Sequence, residues 1–242
     1  MKFNNALSTT LFWVVFSILV SSCASNKEKA PVNAEHSESA NKSVAAVSAL
    51  PAGPITPNPY LQIKPNVSAA TDSTFRAALV AMQQKQWVQA ETLLRKIAIE
   101  NPKLSGVYVN LGIICRAKGD NIKAAEEFEL AINANPQNLD AYNQLAIVKR
   151  EAGKFSDAEA LYLKALNVWP FHSESHKNIA ILYELYMGKP EQALPHYLAY
   201  QQLLPAPDKQ VDSWIADLQR RLNGGKKASA ETDKNDQATE VK

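Results

Sequence analysis

A cysteine directly after a greasy run, two histidines four residues apart and one internal thiol are the side chains whose type and spacing invite chemistry. His172 and His176 have the spacing to share a metal ion on one helix face, but no third ligand stands near them in the sequence. His172 reads instead as a turn residue and His176 as a packing residue. Cys115 falls inside an apolar helical pattern and reads as a small buried hydrophobe. The chain has 2 cysteines, too few for a disulfide framework. Gly224-Gly225-Lys226-Lys227 lacks the spacing of a phosphate loop, and neither G-x-S-x-G nor H-E-x-x-H occurs. The sequence therefore predicts no catalytic residue, no metal site and no cofactor, and the chain reads as a non-enzyme.

Cys23 is the exception. Lys2 gives a positive start, residues 11–20 are apolar but for Ser17, and Val20-Ser21-Ser22-Cys23 follows. The apolar run is shorter than the roughly 20 residues that span a bilayer core, as in an export signal. The four residues resemble the bacterial lipobox: an aliphatic residue, two small ones, then cysteine. The resemblance implies thioether-linked diacylglycerol on Cys23, cleavage before it, and often an acylated new amino group. Several acyl chains on one residue meet the requirement that stable anchoring takes more than one chain. Ala24 follows, where an aspartate commonly marks inner-membrane retention, so the resemblance points to an outer-membrane lipoprotein facing the periplasm.

What must position these groups follows from composition and spacing. The 242 residues include 46% hydrophobic and 21% charged side chains, enough apolar material for a packed body. A formal net charge of +2 lacks the strongly basic field of a dedicated nucleic-acid binder. Residues 1–22 form the predicted signal peptide, and 23–70 the lipidated cysteine with a disordered Ser/Ala/Pro-rich tether. Its 45 or so residues give a coil span of about 40 Å, longer where Pro51, Pro54, Pro57, Pro59 and Pro65 extend it. Tyr60, Leu61 and Ile63 interrupt the leash with apolar side chains that either dock on the first helix or are scattered linker residues.

From residue 71 the sequence repeats with a period of 34. Ala78, Gly112, Ala146 and Ala180 occupy position 8 of the frame; Ala90, Ala124, Ala158 and Ala193 occupy position 20. Leu94, Phe128, Tyr162 and Tyr197 take position 24, and Pro102, Pro136, Pro170 and Pro205 position 32. Small residues let two helices approach, the large one fills the space beside them, and proline stops the second helix. Gly119, Gly153 and Gly188 mark the turns between helices. The pattern resembles the tetratricopeptide repeat. The expected fold is all-α, a right-handed solenoid of four helix-turn-helix repeats at 71–104, 105–138, 139–172 and 173–207. An extra residue is expected in the turn of the fourth repeat and a kink at Pro195. Val211, Trp214, Ile215, Leu218 and Leu222 predict a capping helix over 208–223, ended by Asn223-Gly224-Gly225 and followed by a disordered tail, 224–242.

The resemblance further implies that the first helices line a concave groove. Position 6 supplies Asn110, Gln144 and Asn178, side-chain amides able to bond an extended peptide. Position 9 adds Ile113, Ile147 and Ile181 beside Leu79; position 12 adds Arg116 and Arg150, and position 5 Lys177. These nine groove residues suit an apolar peptide or amphipathic helix with some acidic character. Members of the family that clamp chaperone C-termini need basic and Asn side chains where this chain has Phe75, Leu79, Asp140 and Gln144; Asn110 alone fits, so that activity does not carry over. The expected function is a lipid-anchored scaffold that binds a protein partner in the cell envelope, tied to the membrane through Cys23 and binding no nucleic acid. Pilus, secretion, cell-wall and trans-envelope energised complexes are all served by such lipoproteins. The rival readings are a regulator of a periplasmic hydrolase, an unrecognised enzyme, and a metal or small-molecule carrier.

Overall fold

The computed structural model describes residues 50–63 and 65–239, with side chains through 224. The signal peptide, Cys23 and the leash up to residue 49 lie outside the described residues. Every regular element described is helical: α1 (Pro59–Gln62), α2 (Ala69–Gln83), α3 (Trp87–Glu100), α4 (Ser105–Ala117), α5 (Asn121–Ala134), α6 (Leu139–Glu151), α7 (Phe155–Val168), α8 (Ser173–Ile181), a π-helical turn (Leu182–Tyr186), α9 (Pro190–Leu203) and α10 (Lys209–Thr239). None is long and apolar enough to cross a membrane.

The periodic residues do what their spacing demands. Ala78, Ala146, Ala180 and all four position-20 alanines have no exposed surface, and Phe128 and Tyr162 are equally buried beside them. At Gly112 an added Cβ would stand 2.4 Å from Phe128 Cε1, so this pair of helices meets more closely than alanine allows. The second helices stop so as to leave a single residue before each proline; Asn135 and Trp169, at φ −152° and −151°, are extended as a following proline requires. First helices begin under side-chain caps where one is available: Ser68 Oγ accepts from Thr71 N–H and Asn138 Oδ1 from Ala141 N–H.

Each first helix of the first three repeats ends in a left-handed residue that lets the next N–H reach back. Asp120 N–H donates to Cys115 O and Lys154 N–H to Lys149 O, both at 2.9 Å, across Gly119 (φ 82°) and Gly153 (φ 74°). Lys85 holds the same place in the first repeat at φ 57°, a conformation that favours glycine.

The structure departs from expectation in two places. The extra residue of repeat four is absorbed in the π-helical turn, where Met187 N–H donates to Leu182 O at 3.1 Å, and not in the turn after it. A π-turn is what one inserted residue makes when both flanks stay helical. The final helix continues past Asn223-Gly224-Gly225 to Thr239, so the predicted disordered tail 224–242 is helical as far as 239. The residues that follow, Lys226-Lys227-Ala228-Ser229-Ala230-Glu231, are rich in helix formers, which outweighs the two glycines.

The part of the leash from residue 50 onward lies on the body. Trp169 Nε1–H donates to Thr56 O at 3.0 Å, and Ser105 Oγ meets Tyr60 OH at 3.2 Å. Asn138 Nδ2 donates in turn to Ser105 Oγ at 3.0 Å, so the strap is tied to the third-to-fourth junction through Trp169, to the start of α4 through Ser105, and through Ser105 to the second-to-third junction. Of the three apolar leash residues only Tyr60 docks in this way; Leu61 and Ile63 stay exposed.

Candidate partner-binding groove

First helices of successive repeats touch one another, α4 with α6 and α6 with α8, more than second helices do. A stack held closer on one side curves toward that side, which makes the first-helix face the concave one. All nine residues expected in the groove, Asn110, Ile113, Arg116, Gln144, Ile147, Arg150, Lys177, Asn178 and Ile181, are half-buried. They are therefore neither core nor freely solvated, as the wall of a groove must be.

The amides are partly engaged. Asn110 Nδ2 donates to Gly106 O of its own helix at 2.7 Å, and Asn178 Nδ2 to Asn143 Oδ1 at 3.1 Å. Gln144 Oε1 accepts from Arg116 Nη1 at 3.2 Å. Each amide thus gives one of its groups to the protein. Arg116 also pairs with Glu151 at 2.5 Å. Lys177 lies 3.6 Å from Asp208 and over the Tyr200 ring, so its charge is answered at the α9–α10 end of the stack. Ile181 adjoins the π-turn, which leaves Leu185 and Tyr186 exposed. Arg150 lies over Tyr186 at 5.4 Å from the ring centroid. Sequence reasoning missed Leu185 and Tyr186 because the inserted residue takes them out of the repeat frame.

The histidines do not assemble a metal centre, and no group of three or more His, Cys, Asp or Glu among the described residues could hold one. His172 Nδ1 meets Ser175 Oγ at 2.7 Å. His176 meets His196, a residue the sequence did not single out, at 2.9 Å between their Nδ1 atoms. His176 Nε2–H donates to Pro170 O, so in the neutral pair His196 Nδ1–H donates to His176 Nδ1. His196 Nε2 is left buried without a partner. Burial holds the pKa of His196 down to about 3 and lowers that of His176. Cys115 is buried as a free thiol whose pKa burial pushes up, the setting of an inert packing residue.

A stack of antiparallel helix pairs with a half-buried inner face defines a helical-repeat scaffold for protein–protein interaction. Tetratricopeptide-repeat models match residues 105–138 and 137–205. Residues 105–205 belong to the tetratricopeptide-repeat family. The chain is 27% identical over 129 residues to the photosystem I assembly protein Ycf3 of Rippkaea orientalis, covering 50% of this chain and 68% of that one. It is 31% identical over 117 residues to the mouse tetratricopeptide repeat protein 8, covering 45% of this chain and 23% of that one. Among solved structures, Pseudomonas aeruginosa pilF shares the fold at 22% identity with a TM-score of 0.58, covering 64% of this chain and 70% of that one. A thermophilic repeat protein of Thermus thermophilus, TTC0263, shares it at 21% identity with a TM-score of 0.52, over 61% of this chain and 80% of that one.

Proposed function

We propose that this protein is a lipid-anchored scaffold of the bacterial cell envelope, held on the periplasmic face of the outer membrane by acylated Cys23. Its groove captures a segment of a protein partner and positions it for assembly of a larger complex. The half-buried inner face of α4, α6 and α8 carries this reading: a lining of amides, isoleucines and arginines suits a peptide and offers no acid–base pair. The lipobox and the Ala24 that follows it support the address. An assembly role is also named in the photosystem I assembly protein, whose repeats resemble these. Anchor and leash would raise the local concentration of whatever the groove holds.

Two variants test it. Cys23→Ser moves the protein out of the membrane fraction; unchanged membrane partitioning contradicts the anchor. Combined charge or bulk changes at Asn110, Ile147 and Asn178 abolish partner capture from native envelope while the helical circular-dichroism signal is retained. Capture that persists excludes the concave face.

A further inference from the structure

In a stack of repeats each unit touches only its neighbours, so the curvature is a sum of small rotations and bends easily. The strap crosses that rule. It is joined by the chain to the first repeat, and it ties to the second through Tyr60 and to the third through Trp169. Ser105 Oγ–H donates to Tyr60 OH at 3.2 Å and accepts from Asn138 Nδ2 at 3.0 Å, while Asn138 Oδ1 caps α6. Both places where the strap is gripped depart from the repeat frame. Position 2 is acidic in three repeats, as Asp72, Asp140 and Glu174, but is Gly106 in the second, where an added Cβ would stand 3.3 Å from Tyr60 OH. Position 31 is Asn101 and Asn135 in the first two repeats and Trp169 in the third, whose indole N–H donates to Thr56 O at 3.0 Å. Departures that coincide with contacts mark the strap as a built part of the fold.

Its hold is polar and shallow. Ile55, Leu61 and Ile63 stay exposed, and between the strap and the first two repeats lies a cleft of about 530 Å³ walled in part by Phe75, Ile97, Leu104 and Val107. An element that buries so little apolar surface leaves its seat far more readily than the body unfolds. We propose that the strap is a releasable clamp: seated, it holds the first and third repeats at one relative angle and so fixes the curvature of the concave face; lifted, it frees the stack to flex. The preceding chain joins at the Thr56 end, so a pull on it takes Thr56 from Trp169 before Tyr60 leaves Ser105. What this does to a captured partner rests on the groove reading above; the clamp itself does not.

Paired nitroxide labels on the full chain test the clamp. They are attached through a ketone-bearing amino acid, so that Cys23 and Cys115 are left alone. One pair sits at Gln89 and Asp157, exposed and equivalent positions of the first and third repeats. A control pair sits at exposed Lys123 and Glu191 on the second and fourth repeats, which no described strap contact joins. Pulsed dipolar distances between 89 and 157 are narrowly distributed in the wild type. In Tyr60→Ala combined with Trp169→Phe that distribution roughly doubles in width, while 123–191 is unchanged. Gly106→Leu does the same by bulk alone: it removes no hydrogen-bonding group and puts a better helix former at the start of α4, so the body's melting temperature is kept. An 89–157 distribution that neither variant alters overturns the proposal. Broadening of 123–191 to the same degree overturns it too, since that is general loosening. Failure of Ile147 to crosslink a partner would overturn the groove reading and leave the clamp standing.

Discussion

Lys85 shows how a repeat can be satisfied in shape and not in residue. It occupies the left-handed position that Gly119 and Gly153 take in the next two repeats, and its Cβ makes that backbone unfavourable. Lys85→Gly is expected to stabilise the protein by about 0.5–1 kcal/mol, read as a higher urea midpoint; a lower one would mean the side chain compensates elsewhere. The His176–His196 pair acts with the opposite sense and depends on pH. Its folded-state pKa values lie below the ordinary 6.5, so as pH falls the unfolded chain takes up protons the folded chain refuses. Their contribution is complete above about 6.5 and is lost progressively toward about 3. Against a His196→Phe variant, the wild type should therefore lose relative stability between pH 7 and 4, by thermal melts at each pH. A constant difference would show that His196 does not titrate in that window. At this scale the sequence revealed His176 as a packing residue but hid its partner, since His196 sits in the fourth repeat's second helix with no motif around it.

The helices were legible because their spacing is strict and their punctuation is chemical. Small residues sit at two positions and a large one at a third, and each second helix stops one residue short of the proline at a fourth. What stayed hidden was whatever breaks the frame. An inserted residue can lodge in a loop or widen a helical turn, and sequence alone does not separate these; here it made the π-turn, left Leu185 and Tyr186 exposed and set Tyr186 under Arg150. The strap was open in the sequence only at Tyr60, one of three residues offered for docking; its hold on Trp169 stayed hidden because it goes through a backbone carbonyl, which every residue has. The capping helix was plain from its apolar stripe, and Val211 and Leu218 are wholly buried against the last repeat while Trp214 meets Tyr197 at 5.8 Å. Leu218→Ala should cost about 2–4 kcal/mol locally. Because each repeat contacts only its neighbours, amide exchange should quicken in α9 and α10 far more than in α4. Uniform quickening would instead mark the stack as one cooperative unit.

Taken whole, the molecule is a curved stack with an inner face that its own packing leaves half-finished. Buried apolar clusters run through successive repeats, and the fourth repeat is sealed by α10. The sequence offered the groove as a set of positions; which amides are engaged and which arginine is paired depends on one-repeat neighbours that only the folded stack brings together. Its central claim is that the partner lies on the concave face. A photocrosslinking side chain placed at Ile147 on α6, and in a parallel sample at exposed Ile122 on α5, tests this in the native envelope. The account predicts a discrete crosslinked protein from position 147 and none from 122; the reverse pattern would place recognition on the outer helices and contradict it.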